Sequence, residues 1–199
     1  LSLAPLRDYQ QKGIHWLRDT FAKQRALLLA DEAGLGKTRE ALIAAQHLNA
    51  ERVLIICPAG ARRVWQNEIR AWIPGWLPRV VLVEPGARAV DLRMHLDRRV
   101  LVLIIGYDEL SNRKSHVALR LRLVRWDLLV LDECHYLKNP SNRTVAIYGG
   151  GTRHIPGVQG AADKVLLLSG TPTPNHAGEL WQHYRIFWPT SLGPKPLSQ

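Results

Sequence analysis

The chain has 199 residues, of which 46% are hydrophobic and 22% charged, and its formal net charge is +10 at pH 7. A chain of this size buries roughly 70% of the surface its unfolded form exposes, so one domain can hold together without staples. Its two cysteines, Cys57 and Cys134, form no CxxC pair, which argues against a disulfide framework or a zinc knuckle and for a reducing setting.

No stretch approaches the ~20 uninterrupted apolar residues of a membrane span, and no basic-then-apolar leader opens the chain. These features predict an intracellular, soluble domain without a membrane partner, cytoplasmic in a bacterium or phage and nuclear in a eukaryote. The cationic excess is mostly arginine, which favours an acidic partner such as a phosphate backbone. Met94 is the only methionine, so Leu1 is expected to be a boundary within a longer protein.

In chain order, Ile14, Trp16, Leu17 and Phe21 predict a helix from Tyr9 to Phe21 with one buried face. Short apolar runs follow at Ala26 to Ala30, Val53 to Cys57, Val80 to Val83, Val100 to Ile105, Leu128 to Leu131 and Val165 to Leu168, and read as strands buried on both faces. Helical patterns separate most of them. Alternation of this kind predicts an α/β fold with a mostly parallel sheet and helices on both faces, because each parallel crossover needs a long connection. The basic run Arg113 to Arg125 reads as a solvated face, and glycine-rich Gly149 to Ala162 as a mobile surface loop. Residues 1–188 are expected to form the domain, with Pro189 to Gln199 a linker leaving it.

In an open parallel sheet, ligands gather at the carboxyl ends of the strands. After the first apolar run comes Asp31-Glu32-Ala33-Gly34-Leu35-Gly36-Lys37-Thr38, followed by a helical pattern. This reads as a phosphate loop: its glycines turn backbone N–H groups inward, Lys37 reaches the β and γ oxygens, and the Thr38 hydroxyl ligates Mg²⁺. The fifth run ends in Asp132-Glu133-Cys134-His135. Asp132 is assigned to the metal and Glu133 to the attacking water, since phosphoryl transfer needs little beyond positioning and charge neutralisation.

Asp-Glu-x-His after a strand, downstream of a GxGKT loop, resembles the helicases and translocases of superfamily two, and within them the Swi/Snf-type double-stranded DNA translocases. The ordered tokens are Leu6-Arg7-Asp8-Tyr9-Gln10 with Gly13 and Trp16-Leu17, the phosphate loop, and Ile56-Cys57-Pro58 with Trp65 and Glu68. Asp132 to His135 with Leu137-Lys138-Asn139 come next, then Leu168-Ser169-Gly170-Thr171-Pro172 with Asn175. The resemblance implies the N-terminal RecA-like lobe of an ATP-dependent motor, a three-layer P-loop fold that uses ATP and Mg²⁺. It implies that a second lobe closes over the nucleotide and that double-stranded DNA is the partner. Gln10 would read the adenine, and His135, Ser169, Gly170 and Thr171 would couple the nucleotide to motion. Pro58, Ala59, Arg62, Trp65, Gly106, Tyr107, Lys138 and Asn139 would face the DNA backbone, although Trp65 shares a helical pattern with Ile69 and Trp72 that also fits core packing. Ala33, Cys134, Tyr136 and Thr173-Pro174 depart from the family pattern.

Other readings remain open. A P-loop kinase or a GTPase shares Lys37 and Thr38, but the chain has no NKxD-like guanine reader. RNA helicases usually carry Asp-Glu-Ala-Asp where this chain has Asp-Glu-Cys-His. A non-catalytic binding module would not need Lys37, Asp132 and Glu133 intact. A lobe without its partner is expected to bind ATP, hydrolyse it slowly and not translocate.

Overall fold

Apolar side chains at consecutive strand positions leave two faces to cover, and the chain covers both. In the computed structural model the described residues are 5–96, 102–112, 114, 116–150, 155–171 and 180–189. Helix α1 (Asp8–Phe21) leads into β1 (Ala26–Leu29), α2 (Lys37–His47), β2 (Val53–Cys57), α3 (Arg62–Trp72) and β3 (Val80–Leu82). Next come α4 (Ala89–Leu96), β4 (Val102–Gly106), α5 (Tyr107–Ser111), α6 (Val117–Arg122) and β5 (Trp126–Leu131). Helix α7 (Asn142–Tyr148), β6 (Gly149–Gly150), β7 (Ile155–Pro156), β8 (Ala162–Leu168) and α8 (Trp181–Phe187) complete the described elements.

The main sheet is six-stranded, ordered β1-β8-β5-β2-β4-β3, and every pairing in it is parallel. Successive side chains of a strand point to opposite faces, and the two cores divide accordingly. Leu27, Val53, Ile55, Ile104, Val130 and Leu166 pack with Leu17 and Phe21 of α1, Ala41 and Leu42 of α2 and Ile69 of α3. Leu54, Ile56, Ile105, Leu129 and Leu167 pack with Leu110 of α5, Leu121 of α6 and Ile147 of α7 on the other face. The result is the expected three-layer α/β fold.

Several expectations need correction. Trp16 lies 46% exposed on α1, off the buried stripe of Gln10, Ile14, Leu17 and Phe21. Strand β3 is half-buried along its length because it forms the sheet's edge. Gly149 to Ala162 is not a plain loop: β6 and β7 pair antiparallel, a 3-10 turn covers Val158–Ala161, and Val158 is buried. Gly157 lies so close to the backbone of residues 147–149 that a Cβ there would collide with it. The basic run contains the amphipathic helix α6, which buries Val117, Ala118 and Leu121. Arg113 and most of the 189–199 tail lie outside the described residues.

Candidate functional site

Parallel pairing brings the carboxyl ends of β1, β8, β5, β2 and β4 to one edge, and each is followed directly by a segment singled out from the sequence. The loop after β1 turns into α2 through Gly34 (φ +83°) and Gly36 (φ +90°), a left-handed conformation in which a side chain costs roughly 1 kcal/mol or more. At Gly34 the space beyond the missing side chain is open, which leaves the loop backbone accessible. Gly36 caps α2 and Lys37 is its first residue, so the positive end of the helix dipole faces the loop. The Lys37 ammonium donates to the carbonyls of Asp31 (2.7 Å) and Glu32 (2.9 Å). Thr38 follows it, half-buried in the first turn.

Helix α1 leans on this loop. Gln10, 3% exposed, donates through Nε2 to the Leu35 carbonyl at 3.1 Å and accepts from the Arg7 backbone N–H at 3.1 Å. Tyr9 donates to the same Leu35 carbonyl at 3.0 Å. Tyr9 sat within the sequence token but carried no expected role, since its partner lies 26 residues away.

At the tip of β5, Asp132 is held from three directions. Its backbone N–H donates to the Ile56 carbonyl (2.8 Å), its carbonyl accepts from the Tyr107 hydroxyl (2.7 Å), and its Oδ2 accepts from the Trp65 indole N–H (2.8 Å). Burial pushes the Asp132 carboxyl up from the usual carboxylate range. The Trp65 hydrogen bond opposes this, the Glu133 charge adds to it, and a Glu133 backbone hydrogen bond and the Lys37 ammonium pull the other way. Lys37 and Asp132 therefore share one electrostatic neighbourhood. Glu133 has a left-handed backbone (φ 49°), an uncommon conformation for a non-glycine residue, and its Oε2 lies 3.1 Å from His135 Nδ1.

Beyond β8, Ser169 is fully buried, its N–H donates to the Leu29 carbonyl at 3.2 Å, and its Oγ accepts from the Thr171 N–H at 3.2 Å. A Cβ on Gly170 would come within 3.3 Å of the Ala33 backbone nitrogen, so this segment touches the phosphate loop directly. Ala33, one of the departures, leaves room for that approach. Thr173 and Pro174 lie outside the described residues.

The residues expected to face DNA divide sharply. Trp65 and Tyr107 are 1% and 2% exposed, and burial also pushes the Tyr107 phenol well up, which keeps it a donor. Gly106 is buried as well. Arg62 spends its guanidinium on the carbonyls of Ala59 (3.1 Å) and Val83 (2.6 Å) and lies 3.7 Å from Glu109. Trp65 and Tyr107 thus present no exposed side chain to a duplex, and Arg62, half-buried, is largely engaged within the domain. Pro58, Ala59, Lys138 and Asn139 are half-buried or exposed, as is neighbouring Arg63. Tyr136 stacks on Tyr107 with centroids 5.7 Å apart, and the Arg143 guanidinium lies 5.2 Å from the Tyr136 ring. Cys134 is fully buried, and burial pushes its thiol to about 12.

Glycine turns, an ammonium, a hydroxyl and a half-buried carboxylate at one sheet edge form a donor set suited to a magnesium-bound triphosphate. Residues 9–194 match the model of the SNF2-related domain. The chain belongs to this family. The TATA-binding protein-associated factor mot1 of Aspergillus fumigatus is 31% identical over 96% of the chain, which spans 10% of that protein. The human SWI/SNF-related matrix-associated actin-dependent regulator of chromatin subfamily A member 1 is 30% identical over 89% of the chain and 16% of its own length. Among solved structures, the Sulfolobus solfataricus SWI2/SNF2 ATPase core in complex with double-stranded DNA superposes with a TM-score of 0.73 at 25% identity, covering 96% of this chain and 37% of that one. The SNF2-related chain thus spans a small part of the curated relatives it matches. No helix among its described residues is long and apolar enough to cross a membrane.

Proposed function

We propose that this SNF2-related chain is the ATP-binding lobe of an ATP-dependent double-stranded DNA translocase and that it hydrolyses ATP when completed by a second RecA-like lobe. The observation that carries the reading is that the Lys37 loop and Asp132 follow the carboxyl tips of β1 and β5 on one edge of the sheet, with only β8 between them. In this reading the loop from Asp31 to Thr38 cradles the phosphates, and Lys37 exchanges its loop carbonyls for the β and γ oxygens. Thr38 and Asp132 hold Mg²⁺, which supplies charge neutralisation on the phosphates. Glu133 orients the attacking water and accepts its proton. Gln10, fixed between Arg7 and Leu35, meets the adenine edge.

Ser169, Gly170 and Thr171 report the state of the loop, because Gly170 lies against Ala33. His135 does so through Glu133. Pro58, Ala59, Arg63, Lys138 and Asn139 offer the surface for the duplex backbone, where contacts impose little sequence requirement. The neighbour bound to double-stranded DNA and the +10 charge support this choice of partner.

The deciding experiment replaces Glu133 by Gln in the full-length protein. ATP affinity is expected to persist while DNA-stimulated turnover falls by about 10² or more, the usual worth of a positioned base. Unchanged turnover would remove Glu133 from the chemistry, and preference for GTP over ATP would remove the role of Gln10.

A further inference from the structure

Trp65 was expected either to meet DNA or to fill the core, and its surroundings fit neither use alone. The side chain is 1% exposed and packs in the sheet face shared by α1, α2 and α3. A residue used only as filler would need no donor there. Yet the indole N–H reaches out of that apolar layer to Asp132 Oδ2 at 2.8 Å. An indole nitrogen can only donate, so it prefers the ionised carboxylate and occupies one of its two oxygens. The Glu133 backbone also bonds this carboxylate, and the Asp132 main chain is tied to Ile56 and Tyr107, so Trp65 completes a set of restraints on its orientation.

We propose that Trp65 is a positioning residue that holds the Asp132 carboxylate in the orientation needed to bind the nucleotide's metal ion. The proposal rests on the reading of Asp132 as the metal-holding residue. Groups behind a metal-binding side chain fix its orientation, and their loss typically costs 10- to 100-fold in metal affinity or activity, about the scale expected here. The tether runs from α3, which follows the β2 tip, to the end of β5, so it also makes the seating of α3 a condition of the metal site.

The test uses the full-length protein in three forms: Trp65→Phe, Asp132→Asn, and a form in which residue 65 is 3-benzothienylalanine, which keeps the bicyclic shape and removes only the N–H. Mn²⁺ affinity is read by electron paramagnetic resonance in the presence of a non-hydrolysable ATP analogue, and affinity for the same analogue is read separately in EDTA. Both Trp65 replacements are expected to weaken Mn²⁺ on the order of 10-fold while leaving metal-free nucleotide affinity within about twofold. If Trp65→Phe does not fold, the shape-preserving form decides alone. Mn²⁺ affinity unchanged in that form, with Asp132→Asn strongly weakened, overturns the role of Trp65 and spares that of Asp132. If Asp132→Asn itself binds Mn²⁺ normally, both fall.

Discussion

Glu40 is the residue that sits least comfortably in this lobe. It lies in α2 two residues beyond Thr38, only 1% exposed, and neither carboxyl oxygen has a hydrogen-bond partner among the described residues. Its side chain fills the space that any Cβ on Gly13 would need, so Gly13 of α1 is what lets the two helices close over it. Burial raises the Glu40 carboxyl from 4.5 to about 7; Asp31 adds to the rise and Lys37 opposes it. A carboxyl raised in the folded state lends its full stability below the unfolded value and loses it as pH climbs through the folded one. Glu40 therefore destabilises the lobe progressively between pH 4.5 and about 7. Glu40→Gln is expected to be more stable than the parent at pH 8 by on the order of 1–2 kcal/mol, with little difference at pH 4.5. Urea unfolding at the two pH values checks this, and an equal gap at both would refute it. The same scale holds the prediction for Glu133→Gln, in which binding and turnover separate because the residue orients water without holding the nucleotide.

Between elements, the contact with most chemical content joins α7, which follows the Asp-Glu-Cys-His segment, to α8, which follows Ser169 to Thr171. The Tyr148 hydroxyl and His183 Nδ1 are 2.5 Å apart inside the protein, and Tyr148 meets the rings of His183 and Phe187 edge-on. Burial lowers His183 from 6.5 to about 4, so the folded imidazole stays neutral while it shares a hydrogen bond with the Tyr148 hydroxyl. Below pH 6.5 the unfolded chain binds a proton that the folded one refuses, so this link loses stability as pH falls toward 4. His183→Gln is expected to remove that acid loss, on the order of 1–3 kcal/mol between pH 7 and 4.5, seen as a thermal midpoint that gains on the parent's as pH falls and leaves the opposite slope of Glu40 uncompensated. Its slope opposes that of Glu40, so the two contributions partly cancel in the parent protein. A pH dependence in His183→Gln identical to the parent's would refute the assignment.

Neither pair could be read from the sequence, because a buried acid against a glycine and a tyrosine 35 residues from its histidine leave no period. What could be read were the strands from Val53 to Leu168, because burial on both faces forces unbroken apolar runs, and the phosphate loop and acidic tip, whose chemistry demands fixed residue types at fixed spacing. Strand β3 reads as a strand in the sequence but its half-burial at the sheet edge does not show there, and the β6–β7 pairing escapes because glycine carries a weak pattern. In sequence Trp65 stays open between core and DNA and Tyr107 falls on the DNA side, because an aromatic donor looks the same whether it meets DNA or a half-buried aspartate.

At the scale of the whole molecule, every group proposed to serve the nucleotide comes from one edge of one sheet: Lys37 and Thr38 after β1, Asp132 and Glu133 after β5, and the coupling segment Ser169 to Thr171 after β8. Such a site grips the triphosphate from one side. Phosphoryl transfer spreads negative charge over the migrating group and its in-line oxygens, and cations brought in from the opposite side are worth about 10³ to 10⁵ in rate. The chain spans 37% of the solved SWI2/SNF2 core it superposes on and 10% to 16% of the curated relatives, which leaves most of those proteins outside the alignment. If a second lobe supplies the opposing cations, the 199-residue chain alone should bind ATP with ordinary affinity yet turn it over about 10³-fold or more slower than the full-length protein on double-stranded DNA. Single-turnover hydrolysis by both forms, with and without duplex, measures the ratio. The duplex should accelerate only the longer protein, since closure of the two lobes is the step DNA would promote. A chain that reaches full-length rates unaided would mean that the one-sided edge already completes the site.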